Sequence, residues 1–306
     1  MTIRPLPLPE FHLLLRRREA PGAHKPVAGS PGARVDGFYL ERTEDAVRAF
    51  GPGIPPTRFQ FHFIGLVARS RATCTTGLAS FPVGPRVAFF VPPAQIHSSR
   101  DWTTADRGYA LSFSDAFYTE TLADKSALRR SPLFAWERPP FLLLDRIDYE
   151  ALRATFAILE REFSSAARSP GILRPLLHAI VAQLEAAALR AQPATLRLDG
   201  SARLYEAFRA RIERDFRAEK SPAAYAAALG VNPNHFSTAV RAASGLPPGA
   251  WIRARVILEA QCLLASTTRS VKEVAAELGY HDEAYFSRLF KKVVGVAPRE
   301  YQLGRG

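Results

Sequence analysis

The 306-residue sequence predicts an α+β chain: a β-rich barrel or sandwich first, then a pair of long helices, then an all-α domain. Three observations predict it. Short runs rich in Val, Ile, Phe and Tyr recur between Pro/Gly breaks from about residue 37 to 113. Beyond that point the apolar residues change to helical spacing. Finally, the last hundred residues carry one helical pattern twice.

In chain order, residues 1–36 hold Pro5, Pro7, Pro9, Pro21, Gly22, Pro31 and Gly32, and read as a flexible arm with one apolar run, Phe11–Leu15. Strands are expected at Phe38–Leu40, Phe59–Ala68, Arg86–Val91 and Gly108–Phe113. Turn residues break them at Gly51-Pro52-Gly53, Pro55-Pro56, Gly84-Pro85 and Pro92-Pro93. Many short strands at close spacing argue a sandwich or barrel over residues 37–145. Ser114 is placed to cap a helix beginning at Asp115. In segment 146–200, helices are expected at Asp148–Phe163 and Gly171–Arg190. The first carries Leu152, Phe156, Leu159 and Phe163 at helical spacing. The second carries Leu173, Leu176, Leu177, Ile180, Val181 and Leu184, an unbroken stripe that fits either packing within the chain or a homodimer interface. Gln192–Thr195 reads as a linker to the final domain, residues 201–306.

Composition narrows the function. With 47% hydrophobic and 23% charged residues the chain is a folded one. No stretch reaches the roughly 20 apolar residues of a membrane span, and the start of the sequence lacks a secretory pattern. Cys74 and Cys262 are too few for a disulfide framework or a Cys-rich zinc site. A soluble, reduced, cytoplasmic protein is expected. The net charge of +12 implies an anionic partner. Residues 201–306 carry 16 basic and 10 acidic side chains, as large an excess as the 200 residues before them.

The repeat identifies that partner. Ala227-Ala228-Leu229-Gly230, Phe236-Ser237, Gly245, Pro248 and Trp251 recur as Ala276-Glu277-Leu278-Gly279, Phe286-Ser287, Gly295, Pro298 and Tyr301. The interval is 49 at the Leu and 50 from the Phe onward, so the second copy holds one extra residue between its Gly and its Phe. Each copy reads as a short helix ending at Gly, a polar turn, and a second helix. Phe236, Ala239, Val240 and Ala243 form the buried face of one second helix; Phe286, Leu289, Phe290 and Val293 form that of the other. The opposite faces carry Asn234, Thr238, Arg241 and Ala242, and Ala284, Arg288, Lys291 and Lys292. Two helix-turn-helix units of this kind present polar and basic faces to successive major grooves of double-stranded DNA.

The run from Ser270 to Tyr301, with Ala275-Ala276-Glu277-Leu278-Gly279, Ala284-Tyr285-Phe286-Ser287-Arg288-Leu289-Phe290-Lys291-Lys292 and Pro298-Arg299-Glu300-Tyr301, resembles the C-terminal hallmark of AraC/XylS-type transcriptional regulators. The likeness covers about 205–304. It implies a connecting helix near Pro248–Leu264, promoter DNA and RNA polymerase as partners, and a small-molecule effector. The segments Arg58–Val67, Pro92–His97 and Gly108–Phe117 are similar to that family's cupin-like effector-binding barrel. Carried over by position, Ser287, Arg288, Phe290 and Lys291 match the family's second recognition helix. Arg288 is expected to contact bases or phosphate, and Lys291 and Lys292 the backbone. The first copy departs from the pattern: Thr238 stands where Arg is common, and Arg241 is its single cation. Asn234, His235, Ser237 and Thr238 remain candidates for base contacts, because Asn pairs bidentately with adenine. Glu283 is a further candidate, since Glu accepts from cytosine, although Asp282-Glu283 also suits a helix start.

Smaller signals point to no enzyme, metal or cofactor. His62, His97 and Cys74 are of metal-ligating type, but no carboxylate lies between Asp45 and Asp101 to complete a cupin set. Nucleophile-elbow, Walker, zinc-protease and dinucleotide motifs are all lacking. The alternatives are a regulator of the same kind without an effector, and a cupin-type metalloenzyme with a helical appendage.

Overall fold

A computed structural model describes residues 35–135, 138–191 and 200–303. The arm expected over residues 1–36, all but its last two residues, and the linker Gln192–Thr195 lie outside these. The chain divides into two compact units, residues 1–54 with 58–193, and residues 194–306 with the short segment Pro55–Thr57.

The first unit is mixed α/β, with two antiparallel sheets. Its strands are β1 (Phe38–Arg42), β2 (Ile54–Arg58), β3 (His62–Arg69), β4 (Thr73–Thr76), β5 (Ala79–Pro82), β6 (Val87–Val91), β7 (Ile96–Arg100), β8 (Arg107–Phe113) and β9 (Phe141–Leu143). One sheet runs β1-β8-β3-β6-β9, the other β2-β7-β4-β5. The four strands expected from apolar runs are present. The short strands β4, β5 and β7 escape such a search because none carries an apolar run: β4 is Thr-Cys-Thr-Thr, β5 Ala-Ser-Phe-Pro and β7 Ile-His-Ser-Ser-Arg. Pro55-Pro56, expected as a turn, instead lies in β2. That strand is at a sheet edge, where a residue without an N–H breaks no ladder. Helix α1 (Thr43–Phe50) was also absent from the expectation.

Strand alternation divides the larger sheet into two faces. Phe38, Leu40, Ile64, Leu66, Phe90, Leu111 and Phe113 face a core shared with two long helices. Ser114 caps α2 (Asp115–Thr119) by accepting from Phe117 N at 3.1 Å. After α3 (Ala127–Arg130) come the long helices α4 (Arg146–Ser164) and α5 (Pro170–Arg190). Leu152, Phe156 and Leu159 of α4 and Leu173, Leu177, Ile180, Val181 and Leu184 of α5 are all buried in this core. The α5 stripe is thus consumed within the unit, and it no longer supports a dimer interface.

One expectation needs correction. Helix α5, at 21 residues and a mean hydropathy of 1.4, is long and apolar enough to cross a membrane by length and composition alone. Its stripe is nevertheless core, and its buried Arg174 donates from Nε to Phe117 O at 2.8 Å and pairs with Glu120. A core helix of a folded unit passes the same composition test.

The inner face of the larger sheet meets the smaller sheet. His97 of β7 lies with its ring 5.9 Å from Phe89 and 6.2 Å from Phe63, and Phe81 lies 6.2 Å from Phe89. Burial pushes the His97 imidazole down to about 3 and the Cys74 thiol up to about 12. A neutral His97 bonds Thr76 Oγ1 at 3.1 Å, and Cys74 is an inert core residue. His62 faces the other way and bonds Asp115 at 2.7 Å. Among the described residues no group of His, Cys, Asp and Glu could hold a metal ion.

Gly65 pairs with Phe89 across β3 and β6, and the Phe89 ring lies over it. A Cβ at Gly65 would come within 2.0 Å of that ring. Gly65→Ala is expected to destabilise the chain by about 1–3 kcal/mol in urea denaturation, through overpacking. Glu41, two residues along β1 from Tyr39, has its carboxyl pushed up to about 8, by burial first and by nearby Asp45 second. A raised folded value favours the neutral form, so Glu41 stabilises the fold fully in acid. That stability is lost as pH rises from the ordinary carboxylate range through about 8. Thermal unfolding of Glu41→Gln across that window is expected to show a flatter pH dependence than the parent chain.

Candidate nucleic-acid interface

The regular elements among the described residues from Gly200 onward are all helices: α6 (Gly200–Asp215), α7 (Pro222–Ala228), α8 (Pro233–Ser244), α9 (Pro248–Ser266), α10 (Val271–Glu277), α11 (Glu283–Val294) and α12 (Pro298–Leu303). The repeat becomes two helical pairs, α7–α8 and α10–α11. Local chemistry starts and stops each helix. Ser221 caps α7, and Ser270 forms a reciprocal capping box with Glu273 at α10. Asn232 Oδ1 accepts from Asn234 N at 2.9 Å to start α8, and Asp282 Oδ1 accepts from Ala284 N at 2.8 Å to start α11. Gly245 and Gly295, both left-handed, end the two helices.

The turns locate the extra residue. Val231 N bonds Ala226 O in the first pair and Tyr280 N bonds Ala275 O in the second, 49 positions on. The caps Asn232 and Asp282 are 50 apart. The residue added between these landmarks is His281.

Phe236, Ala239 and Val240 anchor α8, and Phe286, Leu289 and Phe290 anchor α11. The Phe236 ring meets Phe208 of α6 edge-on at 4.9 Å, and Phe290 meets Tyr301 of α12 at 5.4 Å. Ala243 and Val293, expected on these buried faces, are exposed. Each sits in the last turn of its helix, just before the left-handed Gly. The helical period predicts a side chain's direction, but not where the covering partner ends.

Helix α9 lies against α6, α7, α8, α10, α11 and α12. Every residue from Arg255 to Ala260 is buried, so the helix has no solvent face along that stretch. Two of these residues are charged. Arg255 donates to Glu259 Oε2 at 2.9 Å and to Glu213 Oε2 on α6 at 2.6 Å, and its guanidinium lies 4.0 Å above the Phe216 ring. Glu259 Oε1 accepts from Arg217 at 2.6 Å.

The candidate contact residues fall on one type of surface. Asn234, His235, Ser237, Thr238 and Arg241 are exposed along α8; Glu283, Ala284, Arg288, Lys291 and Lys292 are exposed along α11, with Ser287 half-buried. In this unit Arg209, Arg211, Arg214, Arg217, Arg255 and Arg269 are neutralised by carboxylates. No acidic partner meets Arg241, Arg288, Lys291 or Lys292 among the described residues. Three further side chains join this inventory. Tyr285 is 51% exposed on α11, the counterpart of His235, and Arg253 and Arg299 are exposed and have no carboxylate partner among the described residues. The 50-residue pairing with His235 was the signal that could have found Tyr285.

Removing Glu259 leaves Arg255 buried beside a lost partner. Glu259→Ala is expected to cost about 3–5 kcal/mol, read as a lower urea midpoint of the full chain.

Residues 225–303 match the helix-turn-helix domain family, a range that takes in both helical pairs. The chain is 32% identical over 74 residues to the arabinose operon regulatory protein of Escherichia coli, covering 24% of this chain and 25% of that protein. It is 38% identical over 77 residues to the MmsAB operon regulatory protein of Pseudomonas aeruginosa, 25% of each. With the F1 operon positive regulatory protein of Yersinia pestis it shares 39% over 59 residues, 19% of this chain and 20% of that one. The matched stretch thus spans about a quarter of these relatives or less. Among solved structures, ToxT from Vibrio cholerae aligns with 89% of this chain and all of its own at a TM-score of 0.41 and 15% identity. The C-terminal domain of AraT, a response regulator from Geobacillus stearothermophilus, aligns with 36% of this chain and 88% of its own at a TM-score of 0.33 and 27% identity. The C-terminal region is a helix-turn-helix domain of AraC/XylS type.

Proposed function

We propose that the chain is a sequence-specific transcriptional regulator that reads promoter DNA through two helix-turn-helix units, with α8 and α11 as recognition helices. The observation that carries this is the paired construction of the second unit. Two capped helices, each anchored by a buried Phe, carry exposed faces at an interval of 50 residues, and among the described residues no carboxylate neutralises the cations on those faces. Helix α11, with Arg288, Lys291 and Lys292, supplies most of the phosphate attraction. Helix α8, with Asn234, His235, Ser237 and Thr238 around a single Arg241, supplies hydrogen-bonding contacts to base edges. RNA polymerase is the partner that turns DNA occupancy into regulation, and the cytoplasm is where it acts.

The first unit serves in this reading as a cupin-like effector domain. Tyr39 and Glu41 of β1 and Thr76 and His97 of the smaller sheet are polar groups set among Phe59, Phe63 and Phe89, an apolar frame with few polar groups of the kind that orients a small molecule. An effector bound there shifts the population toward a DNA-binding state.

Binding to sites selected from a random DNA pool tests the reading. Arg288→Ala is expected to weaken specific binding by about 1–3 kcal/mol and relax preference at one position. Lys292→Ala is expected to weaken binding evenly across sequences and lower the salt slope by about one. Unchanged affinity and selectivity in both variants would overturn the assignment of α11.

A further inference from the structure

The added residue His281 lengthens the turn of the second helical pair, and that turn is where the chain leaving α6 touches it. The Tyr280 ring lies 5.7 Å from Lys220 Nζ. Gly279, at φ +80°, stands so close to the Arg217 carbonyl that a Cβ there would lie 2.7 Å from the oxygen and 3.2 Å from Lys220 Nζ. Its counterpart Gly230 faces open space. Only the second turn, therefore, requires glycine for room as well as for its backbone angle. Lys220 Nζ also donates to Phe216 O and Arg217 O, each at 2.7 Å, which ties off the end of α6. Burial holds its ammonium below the ordinary lysine range. From the same segment, Arg217 reaches Glu259 on the connecting helix α9.

Within five consecutive residues, Phe216 and Arg217 thus reach α9, and Arg217 and Lys220 reach the turn before α11. A single connecting helix leaves the two helical pairs free to twist about one junction. A second path of contact closes a ring and removes that freedom before any ligand binds, which is the physical content of preorganisation. We propose that Phe216–Lys220 is a brace that fixes α11 relative to α8, and so sets the one base-pair spacing at which both helices bind together. The inference rests on the DNA-reading proposed above. Adding one base pair between the contacted clusters shifts the second by about 3.4 Å and turns it by about 35°, a mismatch that a rigid reader cannot follow.

The test uses the full chain and its selected site, together with versions in which the two contacted clusters are one base pair closer or farther apart. The parent chain is expected to lose about tenfold or more in affinity at either altered spacing. Arg217→Ala/Lys220→Ala, which leaves Glu259 paired with Arg255, is expected to bind the best site more weakly but to lose only about threefold or less when the spacing changes. If the double variant fails to unfold cooperatively, Lys220→Met, which keeps the side-chain stem, is expected to move the ratio in the same direction. If Lys220 only contacts phosphate, or only caps α6, affinity falls by the same factor at every spacing. A spacing ratio unchanged from the parent overturns the brace while leaving the DNA-reading intact. A parent chain that selects no site overturns both.

Discussion

The carboxylate of Glu259, fully buried between Arg255 and Arg217, is the interaction on which the second unit depends. Two charges taken out of water are stabilising only if nearly every donor and acceptor is satisfied. Here Glu213 completes the arrangement from α6, and the Phe216 ring covers the guanidinium. The network does little for net stability compared with an apolar core of equal volume. Its effect is on geometry, because a guanidinium that bridges Glu213 on α6 and Glu259 on α9, with one bond to each, accepts one rotation and one register of α9 against α6. The apolar contacts of α9 with the helices around it would tolerate several.

Everything proposed for DNA follows from that fixed axis. The exposed faces of α8 and α11 have the same construction and different chemistry. At the three positions where α11 carries Arg288, Lys291 and Lys292, α8 carries Thr238, Arg241 and Ala242. In the proposed reading one helix supplies attraction that weakens with salt, and the other supplies contacts that discriminate without much charge. A rigid connection makes that division workable, because the helix with little electrostatic anchoring is carried to its groove by the one that has it.

How much of this was legible in the sequence depended on the period of each signal. The 50-residue repeat, the helix pairs and the long helices α4 and α5 came through because apolar spacing and Gly or Asn/Asp punctuation agree along each of them. Of the N-terminal strands, those with apolar runs could be read and β4, β5 and β7, which carry none, could not. Pro55-Pro56 misled because a proline pair signals a turn unless the strand is an edge. The contact candidates on α8 and α11 were legible as faces, yet Ala243 and Val293 show that a face ends where its partner helix ends. The brace was invisible. Arg217 and Lys220 are unremarkable in type and lie about sixty residues before Gly279, and only the fold brings them together. Glu259 was hidden for a related reason, since a lone Glu in an apolar helix reads as surface until its two arginines are found.

The most direct test of the central claim, that both helical pairs engage one duplex as a unit, is hydroxyl-radical footprinting of the full chain on its selected DNA site. The account predicts two protected patches on one face of the duplex, separated by about one helical turn of 10–10.5 base pairs. A single patch, or two patches on opposite faces, would contradict it.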